Sequence, residues 1–429
     1  MLRIEDTDSE RSVPENVDQI LDAMHWLELD WDEGPLSQYE RRERHRERIG
    51  ELLEAGHAYP DDATAADVRG WKEAHAGAGY RGEPREGPGA AIRLRVPDEG
   101  ATVVEDLIRG PVRFENRTQD DFVIARGDGT PLYNLAVAVD DADMAVTDVV
   151  RGDDHLSNTP KQLLVLAALG ADPPRYAHLP LLHGPDGRKL SKRDRAASVQ
   201  ELRDFGYLPE AIRNYLALLG WGTEDDSTIL STKELVERFS IERVGRSAAI
   251  FDERKLRWLN GRYMRDLPLD GYERRLADHL RLRMGAEAQA FLSAPPERRR
   301  VACEIVRDKA QTLDEAWPLI RFLFTEPVDD DAAWRKVMSA DARPALADAR
   351  DALTVADGFD AGTIEEALSG VVERSGRKPK AVYQPLRVAI TGTAVSPGIF
   401  DSLAALGREQ SLRRIEAALK RLDEREPVG

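Results

Sequence analysis

Apolar positions in the first part of the chain recur at helical spacing. Val17, Ile20, Leu21, Met24 and Leu27 fall on one face of residues 14–30, and Pro14 after Ser12 supplies a helix entry. Residues 38–56 predict a second helix whose polar face is dense in Arg and Glu. Between residues 59 and 130 the texture changes. Gly and Pro become frequent, above all in 77–89, and short runs such as 91–96 read as strands, so an inserted α+β subdomain is expected. The apolar runs 133–139 and 144–150 predict two strands, with a turn at 151–155. Thr159 as N-cap and Pro160 at N1 then open a helix that ends at Gly170. Strand, polar turn and helix together predict a βαβ unit and a parallel sheet. Ligands of such sheets bind at the carboxyl ends of strands, where residues 151–155 fall. From Pro209 onward helical patterns dominate to the end of the chain, with neither an internal repeat nor a low-complexity tract.

Composition narrows the function classes. The 429 residues suffice for about three domains, and 41% hydrophobic with 32% charged residues is ordinary for a globular protein. No apolar run approaches the ~20 residues that cross a bilayer, and no signal-peptide pattern opens the chain, so a cytoplasmic protein with no membrane role is expected. The single cysteine, Cys303, excludes a disulfide framework or a Cys-based zinc site within one chain and reads as a buried, inert thiol. A net charge of −17 argues mildly against nucleic acid, but the cations are clustered. Arg254, Lys255, Arg257, Arg262 and Arg265 form one group, and Arg374, Arg377, Lys378 and Lys380 another. Each group reads equally well as a solvated helix face or as a phosphate contact.

Three blocks carry candidate chemistry. Gly187-Arg188-Lys189-Leu190-Ser191-Lys192-Arg193 is a glycine-hinged run of cations. Flexible lysines of this kind close on charge that builds on phosphate oxygens in a transition state, although a lone basic heptamer is more often an exposed turn. In Arg3-Ile4-Glu5-Asp6-Thr7-Asp8, Glu5 follows an apolar residue at a strand end, where a carboxylate holds an ammonium group. The bland alternative is a set of acids favouring a following helix N-terminus. Arg151, with Tyr133 and Asp154, stands where a substrate carboxylate is held bidentately, or where Arg151 forms a structural ion pair with Asp153 or Asp154.

Taken in order, Leu2-Arg-Ile-Glu-Asp-Thr-Asp8, Pro131-Leu-Tyr-Asn-Leu135, Val139-Asp-Asp141, Asp148-Val-Val-Arg-Gly152, Asn158-Thr-Pro160, Lys189-Leu-Ser-Lys-Arg193 and Gln384-Pro-Leu-Arg387 resemble the bacterial glutamyl-tRNA synthetases, which are class I enzymes. The likeness runs over essentially the whole chain. It implies an α/β Rossmann-like catalytic domain, N-terminally incomplete, with an inserted α+β subdomain and an all-α anticodon-binding region. The boundaries it implies are 1–58 and 131–186 for the two catalytic halves, 59–130 for the acceptor-binding insertion, 187–268 for the stem-contact region with the lysine loop, and 269–429 for the helical part.

The resemblance implies ATP-dependent activation of L-glutamate to glutamyl-adenylate and transfer to the 3′ end of tRNA(Glu), by a monomer. Magnesium would accompany ATP, and no protein-bound zinc is expected. Glu5, Tyr133 and Arg151 would bind glutamate. Asp154, Leu182, Lys189, Leu190, Ser191, Lys192 and Arg193 would bind ATP, with Lys189, Ser191 and Lys192 as the catalytic group. Arg254, Arg257, Lys378, Lys380 and Arg387 would contact tRNA. Three features depart from the family: the lack of a His-Ile-Gly-His-type block before Leu2, His155, where many members carry tryptophan or another residue, and an inserted subdomain without the cysteines of the zinc knot that some members carry there. The first implies a natural start further upstream, which the intact downstream blocks favour, or an inactive tRNA-binding paralogue. A non-discriminating enzyme that also charges tRNA(Gln) is the remaining alternative.

Overall fold

The computed structural model describes residues 1–7, 14–87, 89–190, 198–327 and 330–425. The chain forms two compact units, Met1–Ala197 with Arg213–Asp252, and Ser198–Ile212 with Glu253–Gly429.

In the first unit the strands are β1 (Arg3–Ile4), β2 (Leu36–Ser37), β3 (Ala58–Asp61), β4 (Ala91–Leu94), β5 (Ala101–Asp106), β6 (Gly110–Glu115), β7 (Val123–Ala125), β8 (Asp148–Gly152), β9 (Arg175–Leu179), β10 (Leu182–His183) and β11 (Ala249–Ile250). The helices that position the site are α1 (Pro14–Trp26), α2 (Arg42–Glu54), α3 (Ala65–Ala74), α4 (Tyr133–Asp143) and α5 (Thr159–Ala168). The larger sheet runs β6-β5-β9-β8, and β8, α5 and β9 are the expected βαβ unit, with β8 and β9 parallel and Arg151 opposite His178. A separate antiparallel sheet runs β3-β4-β7. β1 and β2 pair in parallel, as do β10 and β11.

Residues 133–139 are helical, not a strand. Alanines at 136, 138 and 142 favour a helix, and a short apolar run gives no periodicity that separates a buried strand from a helix buried on all sides. Residues 135 to 141 are all buried, including Asp140 and Asp141. Met144 caps this helix and Ala145 takes a left-handed φ of 51°, so the next strand starts only at Asp148 instead of 144. Arg151 and Gly152 close that strand, and the turn narrows to Asp153–His155. In α5 the N-cap is Asn158, and Thr159 is already helical because its hydroxyl is engaged by Arg151.

Buried carboxylates need partners, and α4 has them. Asp140 accepts from Gln38 Nε2 at 3.0 Å, Arg41 Nε at 2.7 Å and His45 Nε2 at 2.8 Å. Burial by itself would raise its pKa, but His45 and Arg41 outweigh that and leave it lowered. Asp141 receives Arg3 Nη2 at 2.7 Å. Asp143, at the helix end, meets Arg44 at 2.8 Å, Arg41 at 2.9 Å and Arg48 at 3.3 Å, and these guanidiniums, Arg44 foremost, hold its pKa down to about 2.

The second unit is helical among its described residues. Its core gathers Tyr272, Phe291, Trp317, Phe322, Leu346, Leu386 and Leu403 with the buried thiol of Cys303. Buried Asn260 accepts from the Leu208 amide at 2.8 Å and donates to the Gln311 carbonyl at 2.6 Å, which ties three segments through one amide.

Replacing Asp140 by Ala leaves the buried Gln38 amide and His45 ring without this partner, while part-exposed Arg41 keeps Asp143. Denaturant unfolding of D140A is expected to show a loss of about 1–3 kcal/mol in the first unit. Asp143 has a depressed folded pKa, so its stabilisation is full above the ordinary carboxylate range and disappears as pH falls toward about 2. The gap in melting midpoint between wild type and Asp143→Asn should therefore be present at pH about 6 and close as pH falls from about 4 to about 2.

Candidate active site

The floor of the site is built where β5, β9 and β8 end. Asp106 Oδ1 accepts from the amides of Ile108 at 2.9 Å and Arg109 at 2.7 Å, and its Oδ2 from the amide of His178 at 3.0 Å. The same Oδ2 lies 2.6 Å from His178 Nδ1. On the other side of the ring, Arg151 Nε donates to His178 Nε2 at 3.2 Å. Arg151 Nη2 donates to Thr159 Oγ1 and to Gln162 Oε1, each at 2.8 Å. Its Nε hydrogen and both Nη2 hydrogens thus face protein partners, which leaves Nη1 uncommitted among the described residues. Burial lowers the His178 pKa, so the ring is neutral. Gly152 permits the sharp exit of β8, since a Cβ there would meet Asp154 Oδ1 at 2.7 Å.

Arg151 opens into a cleft of about 570 Å³ lined also by Arg3, Glu5, Tyr133, Asp141 and His155. Tyr133 begins α4 and its hydroxyl lies 3.0 Å from His155 Nδ1. Burial, then the nearby Glu5 carboxylate, raises the Tyr133 pKa, so the hydroxyl stays protonated and free to donate. Glu5 is exposed and lies 3.6 Å from Arg3 Nη2, whose stronger partner is Asp141. Burial opposes the charge on Arg3, yet Asp141 outweighs it and the guanidinium pKa is raised. Carboxylate, phenol and an arginine edge therefore share one cavity, as the recognition of a small acidic amino compound demands.

The turn Asp153–His155 links this cleft to the cationic loop. His155 faces Tyr133, while Asp154 Oδ2 lies 3.3 Å from Lys189 Nζ. Leu182, on β10, accepts at its carbonyl from the Leu190 amide at 2.9 Å, and Gly187 supplies the left-handed φ of 73° that closes the loop between them. Asp154, Leu182 and Lys189 are not among the residues lining the Arg151 cleft. Ser191, Lys192 and Arg193 lie outside the described residues.

In the second unit, Arg254 is exposed and Arg257 pairs with Glu315 at 2.5 Å. Lys378 and Lys380 are exposed and line a cleft of about 890 Å³ together with Lys336, Arg377 and Gln384. Arg387 is turned inward, its Nη1 donating to the Ser396 carbonyl at 3.1 Å and the Pro397 carbonyl at 2.7 Å, and burial lowers its pKa. Its geometry is that of a loop clamp. Among the described residues no group of three or more His, Cys, Asp or Glu side chains is placed to hold a metal ion.

Sequence reasoning had no signal for the Asp106–His178 pair, since 72 residues separate its members. Thr159 and Gln162 were legible only as helix positions, although their spacing of three already put both side chains on one face.

Residues 1–258 match the family described as tRNA synthetases class I (E and Q), catalytic domain, and residues 275–419 match the family described as anticodon binding domain. The chain is 45% identical to a glutamate–tRNA ligase of Azorhizobium caulinodans, over 97% of this chain and 91% of the relative. It is 40% identical to one of Syntrophobacter fumaroxidans, over 99% and 91%. The fold is similar to the crystal structure of a glutamate tRNA ligase from Elizabethkingia meningosepticum, in complex with its amino acid, with a TM-score of 0.83 at 27% identity, covering 98% of this chain and 92% of that one. This chain belongs to the glutamate–tRNA ligases, a family of class I aminoacyl-tRNA synthetases.

Proposed function

We propose that this chain activates L-glutamate with ATP, magnesium accompanying the nucleotide as part of the substrate, and passes the glutamyl group to the 3′ end of tRNA(Glu). In the first step a carboxylate oxygen of glutamate attacks the α-phosphorus of ATP and pyrophosphate leaves. In the second, a hydroxyl of the terminal adenosine attacks the acyl carbon and AMP leaves. The observation that carries the reading is the cleft holding the Arg151 edge, Glu5 and Tyr133 together, which suits a molecule with a carboxylate at one end and an ammonium group at the other.

Arg151 holds the side-chain carboxylate through Nη1. The two-nitrogen fork expected of a bidentate grip is already spent on His178, Thr159 and Gln162, so selectivity comes from charge and from a surface that only donates. Glu5 takes the amino group, and Tyr133 fixes the backbone end of the substrate. Lys189, with Leu190, Ser191, Lys192 and Arg193 following it, closes on the phosphates from the loop anchored at Leu182 and Asp154. The Lys189–Asp154 pair is exposed on both sides, so its rupture costs little and the lysine is free to move to phosphate oxygens as charge builds there.

In the second unit, Lys378 and Lys380 contact tRNA phosphates, with Arg254 as a further contact. Arg257 is spent on Glu315, and Arg387 supports the contact surface from behind. The five-part division at 58, 130, 186 and 268 remains our reading of how acceptor end, stem and anticodon are shared out along the chain. The enzyme works as a monomer in the cytoplasm without bound zinc. Burial pushes the Cys303 thiol up to about 12, which makes it inert as a metal ligand or nucleophile.

Glutamate-dependent ATP–pyrophosphate exchange, run with and without tRNA, tests the activity. Exchange that requires glutamate, followed by charging of tRNA(Glu), is expected. Binding of tRNA with no exchange would favour the inactive paralogue, and charging of tRNA(Gln) would favour the non-discriminating form. Arg151→Ala should raise the glutamate KM by roughly a hundredfold or more, the scale of losing one partner of a desolvated charge pair. Lys189→Ala should lower kcat by about 10²-fold with little change in the glutamate KM. Neutralising Lys378 and Lys380 should each reduce the salt slope of tRNA affinity by about one unit, measured by filter binding across ionic strengths.

A further inference from the structure

We infer that His178, held by Asp106, is a positioning residue that fixes Arg151 and turns its Nη1 edge toward the substrate carboxylate. The inference rests on the assignment of glutamate to the Arg151 cleft made above. Three observations carry it. His178 is fully buried and is not among the residues lining the Arg151 cleft, so it does not meet a ligand held there. Its Nε2 receives Arg151 Nε at 3.2 Å, and a guanidinium only donates, so Nε2 carries no proton. The single ring proton therefore sits on Nδ1 and is given to Asp106 Oδ2 at 2.6 Å.

Asp106 is itself fixed by three backbone amides, those of Ile108, Arg109 and His178. The chain of contacts runs from a backbone-anchored carboxylate through a single imidazole tautomer to the guanidinium. Thr159 and Gln162 on α5 complete the frame, both bonded to Arg151 Nη2. The groups around the ring are Asp106 on β5, Arg151 on β8, Thr159 on α5 and Tyr176, whose ring is stacked at 6.1 Å. With the fork pinned on three sides the guanidinium cannot rotate, and Nη1 alone meets the ligand. A side-chain amide can turn its oxygen to Nη1, but it brings no charge to pair with the guanidinium and its N–H groups find no acceptor on this edge. The frame thus acts on acid-over-amide selectivity as well as on affinity.

The test compares His178→Phe and His178→Gln in the full chain. Phe fills the ring volume and accepts nothing, while the Gln amide oxygen reaches the Nε2 position and restores an acceptor for Arg151. In glutamate-dependent exchange, H178F should raise the glutamate KM on the order of ten- to a hundredfold, as loss of a hydrogen bond to a charged group implies, with kcat little changed. H178Q should return the KM most of the way to wild type. An unchanged KM in H178F, or equal losses in both variants, would overturn the inference. Melting midpoints identify a variant that fails to fold. In that case the ¹⁵N spectrum of the wild-type imidazole decides: a proton on Nδ1 and a bare Nε2 support the frame, and a protonated Nε2 overturns it. Calorimetric glutamate binding is read beside the exchange. If wild type shows no exchange, the activity assigned above fails, whereas the effect of H178F on glutamate affinity still reports on positioning.

Discussion

Two neighbouring carboxylates in the buried stretch of α4 tie three parts of the first unit together. Asp140 and Asp141 are buried on α4, where an unpaired charge costs several kcal/mol. Each is compensated by a different part of the chain. Asp140 takes Gln38 and Arg41 from the turn before α2 and His45 from α2 itself, and Asp141 takes Arg3 from β1. Two residues lining the Arg151 cleft hang from the same elements: Glu5 stands one residue beyond β1, and Tyr133 is the first residue of α4. Satisfying the buried acids therefore also sets the distance between the groups that line the cleft. Stability and site geometry are one constraint here.

The site divides into a fixed floor and a movable wall, and the division follows burial. Arg151 is held by three partners, Thr159, Gln162 and His178, all of them fully buried. Hydrogen bonds in such surroundings are strong and poorly exchanged for water. The Lys189–Asp154 pair sits at 60% and 45% side-chain exposure, where an ion pair is worth at most about 1 kcal/mol. A carboxylate that must be told from an amide needs the rigid partner. Phosphate oxygens whose charge grows during reaction need the one that arrives late.

How much of this was legible in the sequence follows from the range of each interaction. The βαβ unit was readable because its signals are local: a strand run, a polar turn at 151–155 and a Pro-started helix. The helix α4 was misread for the same reason, since a short run that is apolar apart from Asn134 carries no period and its identity is decided by burial on every face. Motif residues Glu5, Tyr133 and Arg151 were named from resemblance and do share one cleft, yet nothing local pointed to the frame around Arg151. Asp106 and His178 meet across 72 residues, and such pairings become visible only once strands have been laid side by side. Arg387 shows the converse: its motif placed it among the tRNA contacts, and the fold spends it on the carbonyls of Ser396 and Pro397.

A chain of net charge −17 that handles a polyanion has to present cations locally, and counting basic residues does not reveal where. Many arginines of the second unit are already neutralised. Arg257 pairs with Glu315, Arg275 with Glu210, Arg299 with Glu273, Arg343 with Asp423 and Arg377 with Asp348. These guanidiniums suit fixed pairs because their fork matches a carboxylate. The lysines differ. Lys336, Lys378 and Lys380 line one cleft, and no ion pair joins them to an acid among the described residues. Lysine is a hydrated point charge on a flexible stem, able to follow a phosphate without fixed geometry. With Arg377 beside them, these lysines give the cleft a positive face on an otherwise acidic chain.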